Sequence, residues 1–427
     1  MVHYLKIENF GPVKKEVEIN FEVAEQVEED AYEVKMPDGK RLLKLAYIYG
    51  ANASGKTTIL NAFEFLRGLL LNPIRDKSRE LDFEPFLFLD APYDNPSRFE
   101  ISFYCEGLRY VYEIKFNKHS VLNEKVVFYQ TAKPTELISR STDSDKRLAK
   151  IQFGSKIKVP VREKDLLESN TLHNNSVLGA YAKTNVDIPL LEKLNKWFEV
   201  FLLGMITSEN DLDEYTASFI GGDPLANAWI NTFIHKADNQ ISEVNITKED
   251  EYKYTTYQFP SETGEKKTES DTSSYINHKV EFLHKVKNNE IYTLPIIKES
   301  NGTKRYFGFS GFLYKLIHNS HFLCIDELET SLHNDLMKYL LQLFLLNAKN
   351  SQLLFTTHNI SLMENQDFIR KDALWFCEKK EDGSIRLYSG SDFDSNVLRK
   401  DASISNAYKS GRLGAKPNLG SPYLIEK

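Results

Sequence analysis

The sequence has very little cysteine. Cys105, Cys324 and Cys377 are its only thiols, far apart and without a C-x-x-C pair. That excludes a disulfide framework and a zinc ribbon and suits a reducing compartment. No apolar run reaches the roughly 18 residues that a membrane-spanning helix needs. The opening MVHYLKIENF lacks a basic segment followed by a long apolar one, so no signal peptide is expected. Excess positive charge is also missing. Lys and Arg total 54 against 61 Asp and Glu, a formal net charge of −7. Coating of nucleic acid by bulk charge is therefore disfavoured, and only a local basic surface is left open. There is no internal repeat, and no heptad pattern persists over several turns, so a long coiled-coil arm is not expected. What these absences leave is a soluble, cytoplasmic chain of 427 residues, long enough for two or three lobes.

What the sequence does contain is GANASGKTT, Gly50 to Thr58, which fits G-x-x-x-x-G-K-[ST]. An apolar run of strand length, Leu42 to Tyr49, precedes it. Ile59, Phe63, Leu66 and Leu70 follow at the spacing of an amphipathic helix. Strand, glycine-bounded turn and helix N-terminus together make an anion site, because loop N–H groups and the helix dipole point into one volume. Gly50, Ala51, Asn52, Ala53, Ser54, Gly55, Lys56, Thr57 and Thr58 are thus the expected binders of the phosphates of a nucleoside triphosphate. Lys56 would reach the outer phosphates and the Thr57 hydroxyl would ligate Mg²⁺.

Around this motif the chain reads as a mixed α/β protein. Tyr4 to Phe10 and Val17 to Phe21 alternate as a hairpin-like pair, and a polar, acidic connection, Glu22 to Lys40, leads to the phosphate loop. Arg98 to Cys105, Leu108 to Asn117 and Asn123 to Tyr129 alternate as an antiparallel meander. From about Thr131 to Ser176 the chain is polar and poorly patterned, and helices are expected near Pro189 to Met205 and Leu225 to Ile241. Strands are expected at Tyr252 to Phe259, Tyr275 to Leu283 and Ile291 to Lys298, with Ser261 to Ser274 as a mobile loop. The expected division is 1–135 for the first part of a nucleotide-binding head, 136–247 for a mainly helical insertion, and 248–427 for the second part.

That second part carries a further cluster. Phe322 to Ile325 is an apolar run ending in Asp326 and Glu327. In phosphate-loop enzymes such a strand is expected beside the one feeding the loop, with its acids at the ligand-binding sheet edge. Asp326 would hold the Mg²⁺ shell and Glu327 would act as general base on the attacking water. One helix later, Leu353 to Thr357 is another apolar run, ending in His358, which is expected at the same edge and in reach of the γ-phosphate. Glu299-Ser300-Asn301-Gly302-Thr303-Lys304 precedes a helix expected from about Arg305, a second anion-binding turn or a simple N-cap.

The order GANASGKTT, ESNGTK, FLCIDELETSLH, LLFTTHN resembles ABC-type ATPase heads of the RecF/SMC class. More closely, the chain is similar to AAA family ATPases of bacterial antiphage and abortive-infection systems. These include the ATPase subunits of Septu and PARIS and the ATPase half of overcoming-lysogenization-defect nucleases. EPFLF (Glu84 to Phe88), ALWFCEK (Ala373 to Lys379) and YKSGRLGAKPNLG (Tyr408 to Gly420) are further points of likeness. The resemblance implies an ABC-type head, a mixed sheet flanked by helices with an antiparallel β-subdomain. It implies a signature turn at Ser300 and Gly302 that meets the γ-phosphate of a second copy. It makes Asp326 and Glu327 the metal-linked and catalytic acids, Glu329 to Leu332 the loop that communicates across the dimer, and His358 the switch histidine. In one departure from the class, no glutamine occurs between Lys56 and Phe128, so the usual glutamine of the metal shell has no counterpart and Gln130 comes late.

The resulting expectation is a Mg²⁺-dependent ATPase, Lys56, Glu327 and His358 carrying the chemistry, with ATP sandwiched in a homodimer or higher oligomer. It would act as a sensor in antiphage defence that controls a separate effector such as a nuclease, with DNA or a phage component as a possible trigger and no membrane partner. The alternatives are a RecF-like DNA-binding repair ATPase, which predicts strongly salt-sensitive DNA binding, and a phosphate-loop kinase of a small metabolite, in which Ser300, Gly302 and His358 have no role.

Overall fold

The computed structural model describes residues 1–24, 31–143, 145–260, 266–364, 370–393 and 403–416. The chain opens with β1 (Val2–Glu8) and β2 (Val17–Asn20), then a ribbon of β3 (Glu33–Lys35) and β4 (Arg41–Leu43). Next come β5 (Leu45–Tyr49), the phosphate loop and helix α1 (Lys56–Leu71). A meander follows through β6 (Ser97–Cys105), β7 (Leu108–Phe116), β8 (Val121–Tyr129), β9 (Pro134–Asp143) and β10 (Leu148–Phe153). Helices α2 (Val161–Asn170), α3 (Val177–Tyr181), α4 (Pro189–Phe201), α5 (Leu212–Ile220) and α6 (Pro224–Ala237) come next. Strands β11 (Ile241–Pro260), β12 (Lys266–Lys285) and β13 (Ile291–Pro295) lead to α7 (Asn301–His318). The last described elements are β14 (Phe322–Ile325), α8 (Asn334–Asn347), β15 (Gln352–Thr357), β16 (Leu374–Lys379), β17 (Ile385–Ser389) and α9 (Ile404–Lys409).

Two compact units emerge: Met1–Ser208 with Asn319–Thr330 and Leu340–Lys427, and Glu209–His318 with Ser331–Tyr339. In the first unit a five-stranded sheet has the order β14-β15-β5-β16-β17. Its first four strands run parallel and β17 returns antiparallel. LAYIY of β5, FLCI of β14 and QLLFTT of β15 are buried at every residue, as expected for a parallel sheet covered on both faces. A seven-stranded antiparallel sheet, order β10-β9-β8-β7-β6-β1-β2, supplies alternating strands instead. Helix α1 packs against both sheets within one hydrophobic core. Its Phe63 ring lies 4.7 Å from Phe322 of β14, and its Phe65 ring lies 5.8 Å and 5.1 Å from Phe99 and Phe116 of the meander. Burying one such phenylalanine contributes roughly 2–3 kcal/mol. Gln352 staples the sheets at their other side, accepting from the Val2 N–H at 2.6 Å and donating to the Val2 and Leu43 carbonyls.

The second unit packs α5 and α6 on α7 beside a sheet of order β11-β12-β13. Gly308 and Gly311 of α7 let α5 approach closely. A Cβ at Gly308 would sit 2.4 Å from the Leu212 Cβ, and one at Gly311 2.6 Å from the Thr216 hydroxyl. Thr216 uses that hydroxyl to donate to the Gly308 carbonyl at 2.7 Å. No described helix is long and apolar enough to cross a membrane.

Several expectations need correction. The polar stretch after Thr131 contains β9 and β10, which extend the meander to its edge. Only Ala149 and Ile151 of β10 turn fully inward, and the apolar Leu148 at its start is exposed. The boundary expected at 135/136 therefore falls inside β9 and that at 247/248 inside β11, while the helices of the expected insertion divide between the two units at Ser208 and Glu209. The loop expected at Ser261 to Ser274 is strand from Lys266 onward, pairing β12 with β11 from Pro260↔Lys266 to Ile241↔His284; residues 261–265 lie outside the described residues. The acidic connection contains β3, which pairs with β4 just beyond it, and residues 25–30 lie outside the described residues. Residues 417–420 of YKSGRLGAKPNLG do so as well.

Candidate functional site

Strand register builds the site. Thr357 of β15 pairs with Tyr49 of β5, Ile325 of β14 pairs with Phe355 of β15, and Phe376 of β16 pairs with Tyr49. The residues that follow these strand ends, Gly50, Asp326 and His358, consequently leave the sheet at one edge, where open α/β sheets collect ligands. The strand order corrects one expectation. β14 does not lie beside β5, because β15 runs between them. The acids and the loop are thus joined by the strand that ends in His358.

The loop is shaped by close approach. A Cβ at Gly50 would fall 2.3 Å from the Cys377 carbonyl oxygen and 2.5 Å from the Ser54 Oγ. Ala53 and Gly55 adopt φ values of 59° and 96°, the left-handed region open to glycine and strained for alanine. Gly55 is the N-cap of α1, no side chain caps that end, and no acidic residue occupies the first turn. The first N–H groups of the helix are left for an anion. Lys56 is nearly buried, and its Nζ donates to the Gly50 and Ala51 carbonyls at 2.9 Å and 3.0 Å. Burial pulls its pKa below the ordinary lysine value, while the Cys377 thiol and the Asp326, Glu327 and Glu329 carboxylates pull the other way. The buried Ser54 hydroxyl has no partner among the described residues.

Across the cavity, the Thr57 hydroxyl donates to Asp326, 3.2 Å from Oδ1 and 3.0 Å from Oδ2. Glu327 has a φ of 49°, and its Oε1 lies 3.6 Å from the His358 Nε2. The His358 N–H donates to Glu329 Oε1 at 2.5 Å. A cavity of about 410 Å³ is enclosed by Pro12, Asn52 to Thr58, Asp326, Glu327, His358 and Lys379. The orphaned Ser54 hydroxyl, a partly desolvated lysine and uncapped helix N–H groups suit a polyphosphate. Thr57 and Asp326 offer the two hard oxygen donors that Mg²⁺ takes from a protein when phosphates fill the remaining positions. Among the described residues no cluster of three or more His, Cys, Asp or Glu could hold a metal alone. A larger cavity, about 850 Å³, flanks α1 and shares only Thr58 with this one; Phe10, Phe65, Phe83, Arg75 and Arg79 are among its lining residues.

The structure therefore brings together the phosphate loop, Asp326, Glu327 and His358. Ser300 and Gly302 lie in the second unit, where α7 starts at Asn301, four residues before the expected Arg305. Ser300 Oγ accepts from the Thr303 N–H at 3.1 Å, which is N-cap geometry. With Thr303, Ser331 and His333 the two residues line a separate cavity of about 350 Å³.

Three contributors were not singled out in the sequence: Pro12, Lys379 and Thr356. Lys379 ends WFCEK, and the pairing of Phe376 with Tyr49 carries it to the same edge. Thr356 is marked only by being polar in the apolar run LLFTT.

Residues 45–364 match the protein family described as "AAA domain, putative AbiEii toxin, Type IV TA system". No curated protein matches the chain. Among solved structures, it is similar to an SMC head bound to the C-terminal winged-helix domain of ScpA, at 13% identity over 91% of this chain and 97% of that one, TM-score 0.44. It is also similar to the SMC head domain from Thermotoga maritima, at 12% identity over 91% and 98%, TM-score 0.40. A third is the Smc head domain with an extended coiled coil bound to the C-terminal domain of ScpA, derived from Pyrococcus furiosus. That match has 13% identity over 97% and 99%, TM-score 0.40.

Proposed function

The chain belongs to this AAA-domain family, and from that premise we propose that it is a Mg²⁺-dependent ATPase whose hydrolysis cycle works as a switch. The observation that carries the reading is the convergence of Lys56, Thr57, Asp326, Glu327 and His358 on one polar cavity at the phosphate loop.

In this reading the loop N–H groups and Lys56 offset the charge of the β- and γ-phosphates. Thr57 and Asp326 hold Mg²⁺, which when bound supplies charge compensation to the phosphate oxygens. Glu327 accepts a proton from a water whose oxygen forms the new bond to the γ-phosphorus, and the bond from that phosphorus to the β,γ-bridging oxygen breaks, releasing ADP. His358, 3.6 Å from Glu327, donates to the γ-phosphate and orients the base. Ser300 and Gly302 act on the nucleotide of a second copy, so that ATP joins two chains and its hydrolysis loosens them.

The family description, with its toxin–antitoxin wording, supports an abortive-infection role in antiphage defence, in which the nucleotide state controls a separate effector such as a nuclease. The likeness to the Septu and PARIS ATPase subunits belongs to this same reading. The second unit would carry recognition of the trigger, and the protein would act in the cytoplasm.

The test is a paired measurement of ATP binding and hydrolysis on Lys56→Ala and Glu327→Gln, with mass determined by light scattering. The reading expects no binding by the first, and retained ATP, no turnover and a doubled mass for the second. A Glu327→Gln protein that stays monomeric at saturating ATP would remove the two-copy model, and one that still turns over would remove Glu327 as base.

A further inference from the structure

Asp326 and Glu327 are tied to one hydroxyl. Thr356, buried in strand β15 between β14 and β5, places its Oγ1 2.5 Å from Asp326 Oδ1, to which it donates. The same oxygen accepts the Glu327 backbone N–H at 2.8 Å. We propose that Thr356 is a positioning residue whose hydroxyl clasps the metal-linked acid and the general base into working orientation. The proposal rests on the ATPase reading above.

Among side chains of threonine's size, only a hydroxyl donates and accepts through one atom. Valine fills the same space and does neither. The position has a cost that the clasp explains: a hydroxyl with no solvent exposure, among Leu353, Leu354 and Phe355, is unfavourable unless both hydrogen-bonding roles are used. Here both are used, and both partners are candidate catalytic groups. Thr357 cannot substitute, because its hydroxyl accepts from the Asn359 N–H at 3.0 Å.

The clasp also has strain to hold. Glu327 sits at φ 49°, a left-handed conformation that is strained for a non-glycine residue and persists only where the surroundings impose it. Two further bonds tie the same turn to the end of β15: Leu328 N–H to the Thr356 carbonyl at 3.2 Å, and His358 N–H to Glu329 Oε1 at 2.5 Å. Those bonds locate the turn, but neither touches Asp326 or the Glu327 amide. On the opposite side, Thr57 donates to both Asp326 oxygens. Asp326 is therefore fixed between two hydroxyls, one from the phosphate-loop helix and one from the strand that ends in His358. Release of the Thr356 bond frees the Asp326 carboxylate to turn and lets Glu327 relax out of the left-handed region, carrying its carboxylate away from His358.

The test compares Thr356→Val with Thr356→Ser in two readouts. In steady-state kinetics the valine variant is expected to lose about 100-fold in kcat, the scale of a misplaced catalytic group, with KM for ATP unchanged and the Mg²⁺ concentration for half-activation raised. The serine variant is expected near wild-type values. In residue-resolved hydrogen exchange without nucleotide, the Glu327 amide is expected to be protected in wild type and Thr356→Ser, and exchanged faster in Thr356→Val. Should the valine variant fail to fold, Thr356→Ala provides the same comparison with less bulk. A wild-type kcat in Thr356→Val, a serine variant no better than valine, or equal exchange at Glu327 in all three proteins overturns the proposal. A wild-type protein that hydrolyses no ATP removes the ATPase reading, while the exchange rates at Glu327 still decide the clasp.

Discussion

Thr57 and Asp326, separated by 269 positions in the chain, meet with the hydroxyl of one 3.0 Å from the carboxylate of the other. The first lies in the opening turn of α1 and the second directly follows β14, and β15 runs between β14 and β5. A helix N-terminus and an acid from the next strand but one are thereby joined by a hydrogen bond. The following outcomes derive from that geometry and from the packing around it.

Lys56→Ala should abolish nucleotide binding. The nearly buried Nζ bridges the Gly50 and Ala51 carbonyls and is the phosphate loop's own cation. Its removal leaves the phosphates uncompensated and frees the loop. Titration with a fluorescent ATP analogue should show a loss of at least about 100-fold, on the scale of an unpaired buried charge. A circular dichroism spectrum like that of the wild type would show that the fold survives.

Glu327→Gln should bind ATP as tightly as the wild type and hydrolyse it at least about 100-fold more slowly, the usual scale for a lost general base. The amide keeps the side-chain shape and the backbone hydrogen bond to Thr356 but does not accept the proton. Single-turnover release of radiolabelled phosphate checks the rate, and a normal burst would contradict the assignment.

Two glycines should respond in opposite directions to alanine. Gly308→Ala drives a Cβ to 2.4 Å from the Leu212 Cβ, and the overlap should cost about 1–3 kcal/mol despite the better helix propensity of alanine. Gly68→Ala, within α1, meets nothing within 4 Å. It should gain roughly 0.5–1 kcal/mol from reduced backbone freedom in the unfolded chain. Chemical denaturation of both variants against wild type provides the check.

Asp213 should make stability fall as pH rises through mild acid. Burial first, and the Asp211 carboxylate second, raise its pKa to about 6, with Lys304 and Arg305 opposing. A folded-state pKa above the unfolded value means that the folded form binds the extra proton. Its stabilising contribution is complete below the unfolded carboxylate range and is lost as pH rises towards about 6. Asp213→Asn should flatten that slope and stabilise the protein at neutral pH, by on the order of 1 kcal/mol once solvent screening is allowed for. Thermal melts between pH 4.5 and pH 7.5, a range of about three units centred on that transition, would show it; parallel curves for wild type and variant would count against it.

Much of the site was legible before any fold was known, because its parts are local. Gly50 to Thr58 needs its own glycines and the helix that follows. Phe322 to Glu327 and Leu353 to His358 each announce a buried strand with polar chemistry at its end. The meander through β6, β7 and β8 was legible from alternation over residues whose neighbours in sequence are also neighbours in the sheet.

What the sequence determined by itself is therefore the set of parts: the phosphate loop, the two acids, the histidine and the strands that carry them. Their combination was decided by tertiary structure. No periodicity encodes that β15 inserts between β14 and β5, since strand order depends on contacts between residues hundreds of positions apart. The same non-local pairing lays Thr356 against Asp326 and brings Lys379 to the rim of the cavity. It also recruits β9 and β10 to a sheet edge that their own weak pattern does not reveal. A local motif needs only short-range geometry, whereas register and strand order exist only once the chain has closed on itself.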